Sequence, residues 1–176
     1  MYAPSFRDND ILKYYSIDSE GVVEALKEKF GGDWVFVYRT HPQFNKRKLN
    51  KLDYKNSINA TSYSDIQELL LAADCMITDY SSCIFDFMLS KKPAFIFAVD
   101  KDKYSSERGL YYPLEATPFP VAINNQKLIE NIKYFDNNSY IEKVNKFFEE
   151  KGCVEDGHAS QRVVNLIEKT ILGDDI

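Results

Sequence analysis

The stretch Ser64-Asp65-Ile66-Gln67-Glu68-Leu69-Leu70-Leu71-Ala72-Ala73-Asp74-Cys75-Met76-Ile77-Thr78-Asp79-Tyr80-Ser81-Ser82 changes period halfway along. Ile66, Leu69, Leu70 and Ala73 recur at the spacing of one helical face, and Ser64-Asp65-Ile66-Gln67 supplies a capping box ahead of them. Cys75 to Thr78 is then a short continuous apolar run, the pattern of a strand covered on both faces. Ile84, Phe85, Phe87 and Met88 resume the helical spacing. Helix, strand and helix thus follow one another within about 25 residues, which is how a parallel sheet is built.

The same alternation extends outward. Trp34-Val35-Phe36-Val37-Tyr38-Arg39 and Ala94-Phe95-Ile96-Phe97-Ala98-Val99 are two further apolar runs, and Val22, Val23, Leu26 and Phe30 form a helical stripe before the first. The expected fold class is therefore α/β, a Rossmann-like parallel sheet with helices on both faces. After Pro120 the spacing predicts three helices, around residues 125–136, 138–150 and 158–172. The last carries Val163, Val164, Ile167 and Ile171 and is expected to pack back over the sheet. Met1-Tyr2-Ala3-Pro4 reads as the tail of a strand, so residues 1–176 are expected to be one domain cut from a longer chain.

Composition narrows the function classes. A chain of 176 residues with 44% hydrophobic residues buries a sizeable core, and 22 basic against 27 acidic residues disfavour general attraction to nucleic acid or an anionic bilayer. Cys75, Cys83 and Cys153 form neither an even set nor a CxxC pair, which argues against a disulfide framework or a zinc site and for a cytoplasmic setting. No run approaches the length of a membrane span, and the N-terminus lacks the pattern of a signal peptide.

In such sheets ligands bind at the carboxyl ends of the strands. Arg39-Thr40-His41-Pro42 places a guanidinium and an imidazole after one strand. Thr78-Asp79-Tyr80-Ser81-Ser82 places two hydroxyls at a helix start, where they either cap the helix or donate to an anion beside its free N–H groups. The Walker A and GxGxxG phosphate loops are absent, as is the GxSxG turn of a hydrolase nucleophile. Asp100-Lys101-Asp102 is read as a solvated loop rather than a metal site, because lysines alternate with its carboxylates. Arg108-Gly109 offers a guanidinium suited to phosphate. Lys46, Arg47, Lys48, Lys51 and Lys55 read either as a solvated face or as a track for a polyanion or membrane surface.

Several stretches together resemble the CDP-glycerol glycerophosphotransferases of teichoic acid synthesis. They are Ala3-Pro4-Ser5-Phe6-Arg7, Arg39 with His41-Pro42, Asp65 to Leu70 leading into Ala73-Asp74, and Ile77-Thr78-Asp79-Tyr80-Ser81-Ser82 with Phe85-Asp86. Asp100, Tyr104, Arg108-Gly109, Asp156-Gly157 and Ala159 complete the set. One departure is Pro118-Phe119-Pro120, where the family usually carries Pro-Gly-Pro.

The resemblance implies the C-terminal, nucleotide-binding half of a GT-B-type transferase, with an N-terminal acceptor domain outside this chain. His41, Thr78, Ser81, Ser82 and Arg108 would surround the CDP pyrophosphate, with Arg39 beside them and Asp156 and Ala159 near the same cleft; His41 would be catalytic. The implied partners are CDP-glycerol or a similar CDP-polyol, a polyol-phosphate polymer acceptor, the N-terminal domain and the cytoplasmic membrane face, with no nucleic acid, cofactor or metal. Two other readings stay open: a GT-B glycosyltransferase using another nucleotide sugar, and a non-catalytic nucleotide-binding module.

Overall fold

A computed structural model describes residues 1–7, 14–41 and 54–172. They fall into two compact units, Met1–Val144 and Asn145–Ile176. The first unit holds a parallel sheet. Strand β1 (Phe36–Tyr38) pairs with β2 (Ser57–Asn59), and β3 (Met76–Thr78) pairs with β4 (Ala94–Phe97), which pairs in turn with β5 (Val121–Ala122).

Tyr2 joins the two sets by parallel bridges to Tyr38 on one side and Ile77 on the other. Its N–H donates to Val37 at 2.7 Å, and the Ala3 N–H donates to Ile77 at 2.9 Å. The N-terminal residues thus run up the middle of the sheet, as their strand-like reading anticipated. The spatial order is β2, β1, Tyr2, β3, β4, β5.

Helix α1 (Ser19–Phe30) packs on α5 (Asn125–Lys133), α2 (Ile66–Ala72) on α3 (Cys83–Met88), and α3 and α5 lie against the strands. Every β4 residue is buried, because that strand has neighbours on both edges and helices over its faces. The α2 cap is Asp65, whose side chain accepts from the Gln67 N–H at 2.7 Å, one residue later than the capping box expected from Ser64.

Two strands escaped the apolar pattern. In β2 Ile58 and Asn59 are exposed, as befits an edge strand, and β5 is two residues long. Asp100 to Arg108, expected as a loop, forms α4 (Lys101–Arg108) with no buried residue. Gly109 ends it at φ 73°, a left-handed value that favours glycine, and donates its N–H to Ser105 at 3.1 Å. A short 3-10 turn follows at Leu114–Ala116.

The remaining helices are α6 (Asn137–Lys151) and α7 (Ala159–Leu172), close to their expected ranges. On α7, in the second unit, Val163, Val164, Ile167 and Ile171 are exposed. Among the described residues no helix is long and apolar enough to cross a membrane.

Candidate functional site

The loops after β1, β3 and β4 carry the polar groups. After β3, Asp79 is buried, Ser81 half-buried and Ser82 exposed. Ser82 sits at the N-cap of α3 but its side chain makes no capping bond. Ser81 Oγ lies 3.0 Å from Cys83 Sγ and accepts from the Cys83 N–H only at 3.5 Å. Pure capping does not account for this pair. Because α3 is six residues long, its dipole adds less positive potential at this turn than a long helix would.

Ser81 and Ser82 face a cavity of about 330 Å³ that is also lined by Arg108, Phe85, Tyr104 and Tyr112. Arg108 is exposed, with its guanidinium 5.9 Å from the Tyr104 ring centroid. Tyr104 stacks on Tyr80 with centroids 3.7 Å apart and planes 12° from parallel. The lining therefore combines apolar and aromatic side chains with two hydroxyls and a guanidinium.

Beneath the turn lies a buried ionic network that sequence reasoning did not assemble. Arg7 grips Asp100 twice, Nε to Oδ2 at 2.8 Å and Nη2 to Oδ1 at 3.1 Å, while Nη2 also reaches Asp79 Oδ2 at 2.9 Å. Asp79 Oδ1 accepts from the Ser5 and Tyr80 N–H groups at 2.8 and 2.6 Å, and Tyr80 Oη donates to Asp100 Oδ1 at 2.8 Å. Burial works against the charge on Arg7, but the two carboxylates outweigh it and hold its pKa above the ordinary value. Burial likewise disfavours ionisation of Asp100, yet the hydrogen bonds from Arg7 and Tyr80 keep its carboxyl below the usual range. For Tyr80, burial and then the Asp100 carboxylate push the phenol well up, so it stays a neutral donor. A sequence signal existed in part: Asp79 and Asp100 each close an apolar run, and Arg7 follows the strand-like N-terminal stretch.

The remaining expected residues are placed as follows. Thr78 is fully buried and its hydroxyl donates to the Ala3 carbonyl at 2.6 Å; it braces two strands and is not presented to a ligand, which corrects its sequence-based assignment. Arg39 is half-buried and donates to the Tyr63 carbonyl, so it steadies the 60–63 loop. His41 is exposed, its ring 5.9 Å from Phe6. Neither Arg39 nor His41 lines the Ser81 cavity; they follow β1, which the Tyr2 segment separates from β3.

In the second unit, the Asp156 carboxylate takes Arg162 Nη1 at 2.6 and 2.7 Å and the His158 N–H at 2.9 Å. The Arg162 hydrogen bond keeps Asp156 below the usual carboxylate range. Ala159 opens α7. Phe119 is buried against Phe85 and Tyr140, with centroids at 5.7 and 6.5 Å, so it fills core space behind the cavity wall. Lys55 is exposed and pairs with Glu20 at 3.5 Å; Lys46, Arg47, Lys48 and Lys51 lie outside the described residues. Among the described residues no group of three or more His, Cys, Asp or Glu could hold a metal ion.

The model of one protein family, described as CDP-glycerol:poly(glycerophosphate) glycerophosphotransferase, matches residues 1–169. The chain belongs to that family. Among relatives of this glycerophosphotransferase-family chain, a teichoic acid poly(glycerol phosphate) polymerase of Staphylococcus epidermidis is 35% identical, over 97% of this chain and 24% of its own length. A teichoic acid glycerol-phosphate transferase of Staphylococcus aureus is also 35% identical, over 96% of this chain and 44% of its own.

A solved structure of the wall teichoic acid polymerase TagF is similar at a TM-score of 0.71 and 36% identity, covering 98% of this chain and 43% of that one. A TagF variant soaked with CDPG is similar at a TM-score of 0.69. The family chain thus spans less than half the length of these relatives.

Proposed function

We propose that this chain is the donor-binding half of a transferase that moves glycerol phosphate, or another polyol phosphate, from a CDP-linked donor to a teichoic-acid-like polymer. The observation that carries the reading is the cavity at the β3 and β4 exits, where Ser81, Ser82 and Arg108 share the lining with aromatic side chains. A nucleoside diphosphate needs that combination: an apolar surface for the base, and donors for the phosphates. The relatives named for glycerol-phosphate transfer, and the soak with CDPG, direct the choice of nucleotide.

In this reading an acceptor hydroxyl attacks the β-phosphorus. A new oxygen–phosphorus bond forms, the bond to CMP breaks, and the hydroxyl proton passes to water. Ser81, Ser82 and Arg108 hold the phosphate oxygens as charge develops on them. His41, at the β1 exit, donates to a phosphate oxygen. The acceptor polymer enters from a second, N-terminal domain, and the whole enzyme works peripherally at the cytoplasmic membrane face.

Calorimetry with CDP, CMP, UDP and CDP-glycerol tests this. The 176-residue chain should bind CDP and CDP-glycerol, weakly and ahead of UDP and CMP, and should transfer nothing by itself, because the cleft needs both sides. Equal affinity for UDP would overturn the choice of donor, and robust transfer by this chain alone would overturn the two-sided cleft.

A further inference from the structure

We infer that Arg7 is a positioning residue for the diphosphate, acting through Asp79 and Asp100 on the Ser81–Ser82 turn and on the helix that carries Arg108. The inference rests on the donor-binding reading above. Arg7 is the last described residue of the N-terminal segment that runs up the sheet, Asp79 follows β3, and Asp100 follows β4, so one guanidinium ties three strand exits together. The side chains of Arg7, Asp79 and Asp100 are 8%, 4% and 5% exposed. The guanidinium also lies 4.9 and 4.8 Å from the centroids of the stacked Tyr80 and Tyr104 rings.

Two features point to placement beyond plain stability. Asp100 occupies the N-cap of α4 but makes no side-chain capping bond there, its oxygens being taken by Arg7 and Tyr80. The local helix gives up its cap to the network. Moreover, the network meets the cavity at Asp79 and Tyr80, which line it, while Arg7 and Asp100 lie outside its lining and act through them. Asp79 accepts from the Tyr80 N–H one residue before Ser81, and Asp100 begins the helix that ends at Arg108. A guanidinium holds two carboxylates in a fixed fork, whereas an ammonium is a single point charge that cannot reproduce it.

The test compares Arg7→Lys with Leu128→Ala, a fully buried core residue of α5 outside the cavity lining, in the 176-residue chain at a temperature where both are folded. The probes are CDP and CMP. Arg7→Lys should weaken CDP by roughly tenfold, as loss of one charge-assisted hydrogen bond does, while CMP changes little because it lacks the phosphate facing the two serines. Leu128→Ala should lower the melting temperature and leave the CDP-to-CMP ratio at the wild-type value. An unchanged ratio in Arg7→Lys would overturn the positioning role, leaving Arg7 a stabilising residue only. Should Arg7→Lys fail to fold, Asp100→Asn, which leaves the guanidinium paired with Asp79, reads the same ratio and decides in the same way. A wild-type chain that binds neither nucleotide refutes the donor-binding reading itself, a result distinct from either of these.

Discussion

The rings of Tyr80 and Tyr104 stack at 3.7 Å, fixing the turn after β3 against α4 and so setting Ser81 and Ser82 relative to Arg108. The stack contributes on the order of 0.5–1.5 kcal/mol beyond its buried area. Tyr104→Ala should therefore weaken CDP by about two- to tenfold, while Tyr104→Phe, which keeps the ring, should bind as wild type. Calorimetry checks this, and an Ala variant with wild-type affinity would show that the stack does not couple the two halves of the cavity.

Ser82 makes no capping bond and Ser81 only a long one, so their hydroxyls are available to a ligand. Replacing both by Ala should cost CDP about 1.5–3 kcal/mol, or roughly ten- to a hundredfold, and cost CMP far less. A double variant that melts much lower yet binds CDP normally once folded would make the serines structural.

How much of this was readable in advance depended on whether burial left a mark on the residues. Phe95 and Ile96 announce a covered strand because both faces are apolar, and Ile66, Leu69 and Leu70 announce a helix by their spacing. Helix α4 left no such mark, since a helix with no fully buried residue has no apolar stripe; only Asp100 before it and Gly109 after it bracketed its ends. Strand β2 was hidden for the opposite reason, an edge position that demands no apolar face. At the site, Ser81, Ser82 and Arg108 line one cavity, Arg108 reaching it from the last residue of α4 rather than from a strand exit. Thr78 ends β3 but points its hydroxyl into the sheet, which residue type alone does not reveal. The Arg7 network joins residues 72 and 93 positions apart, and pairing at that range is invisible without the fold.

Asp100 supplies a pH-dependent contribution whose sign follows from its environment. Burial disfavours its charge, but Arg7 and Tyr80 more than compensate, so its folded-state pKa lies below the unfolded one. Stability from this group is therefore present above the unfolded carboxyl pKa, about 3.9, and is lost as pH falls through the lower folded value. Urea midpoints measured from pH 7 to pH 3 should fall more steeply for wild type than for Asp100→Asn, which is less stable at neutral pH. Parallel curves would mean that Asp100 is not held in its charged form by the network.

His41 stands exposed at the exit of β1, its ring against Phe6 and its backbone following Thr40, whose N–H donates to Thr61 Oγ1 at 3.2 Å. That placement leaves the imidazole at the carboxyl edge of the sheet, on the donor half of the proposed cleft. A donor to a phosphate oxygen belongs on that side, whereas a general base must reach the acceptor hydroxyl from across it. In a full-length protein with the proposed transferase activity, His41→Ala should lower turnover by ~10²–10³, as removal of one transition-state donor does. His41→Gln, which still donates through its amide, should recover part of the loss. A general base would give a different pattern, with Gln as inactive as Ala and the acidic limb of the pH–rate profile abolished in both. Equal turnover in wild type, Ala and Gln would make His41 a structural residue and move the proton-donating group elsewhere in the cleft.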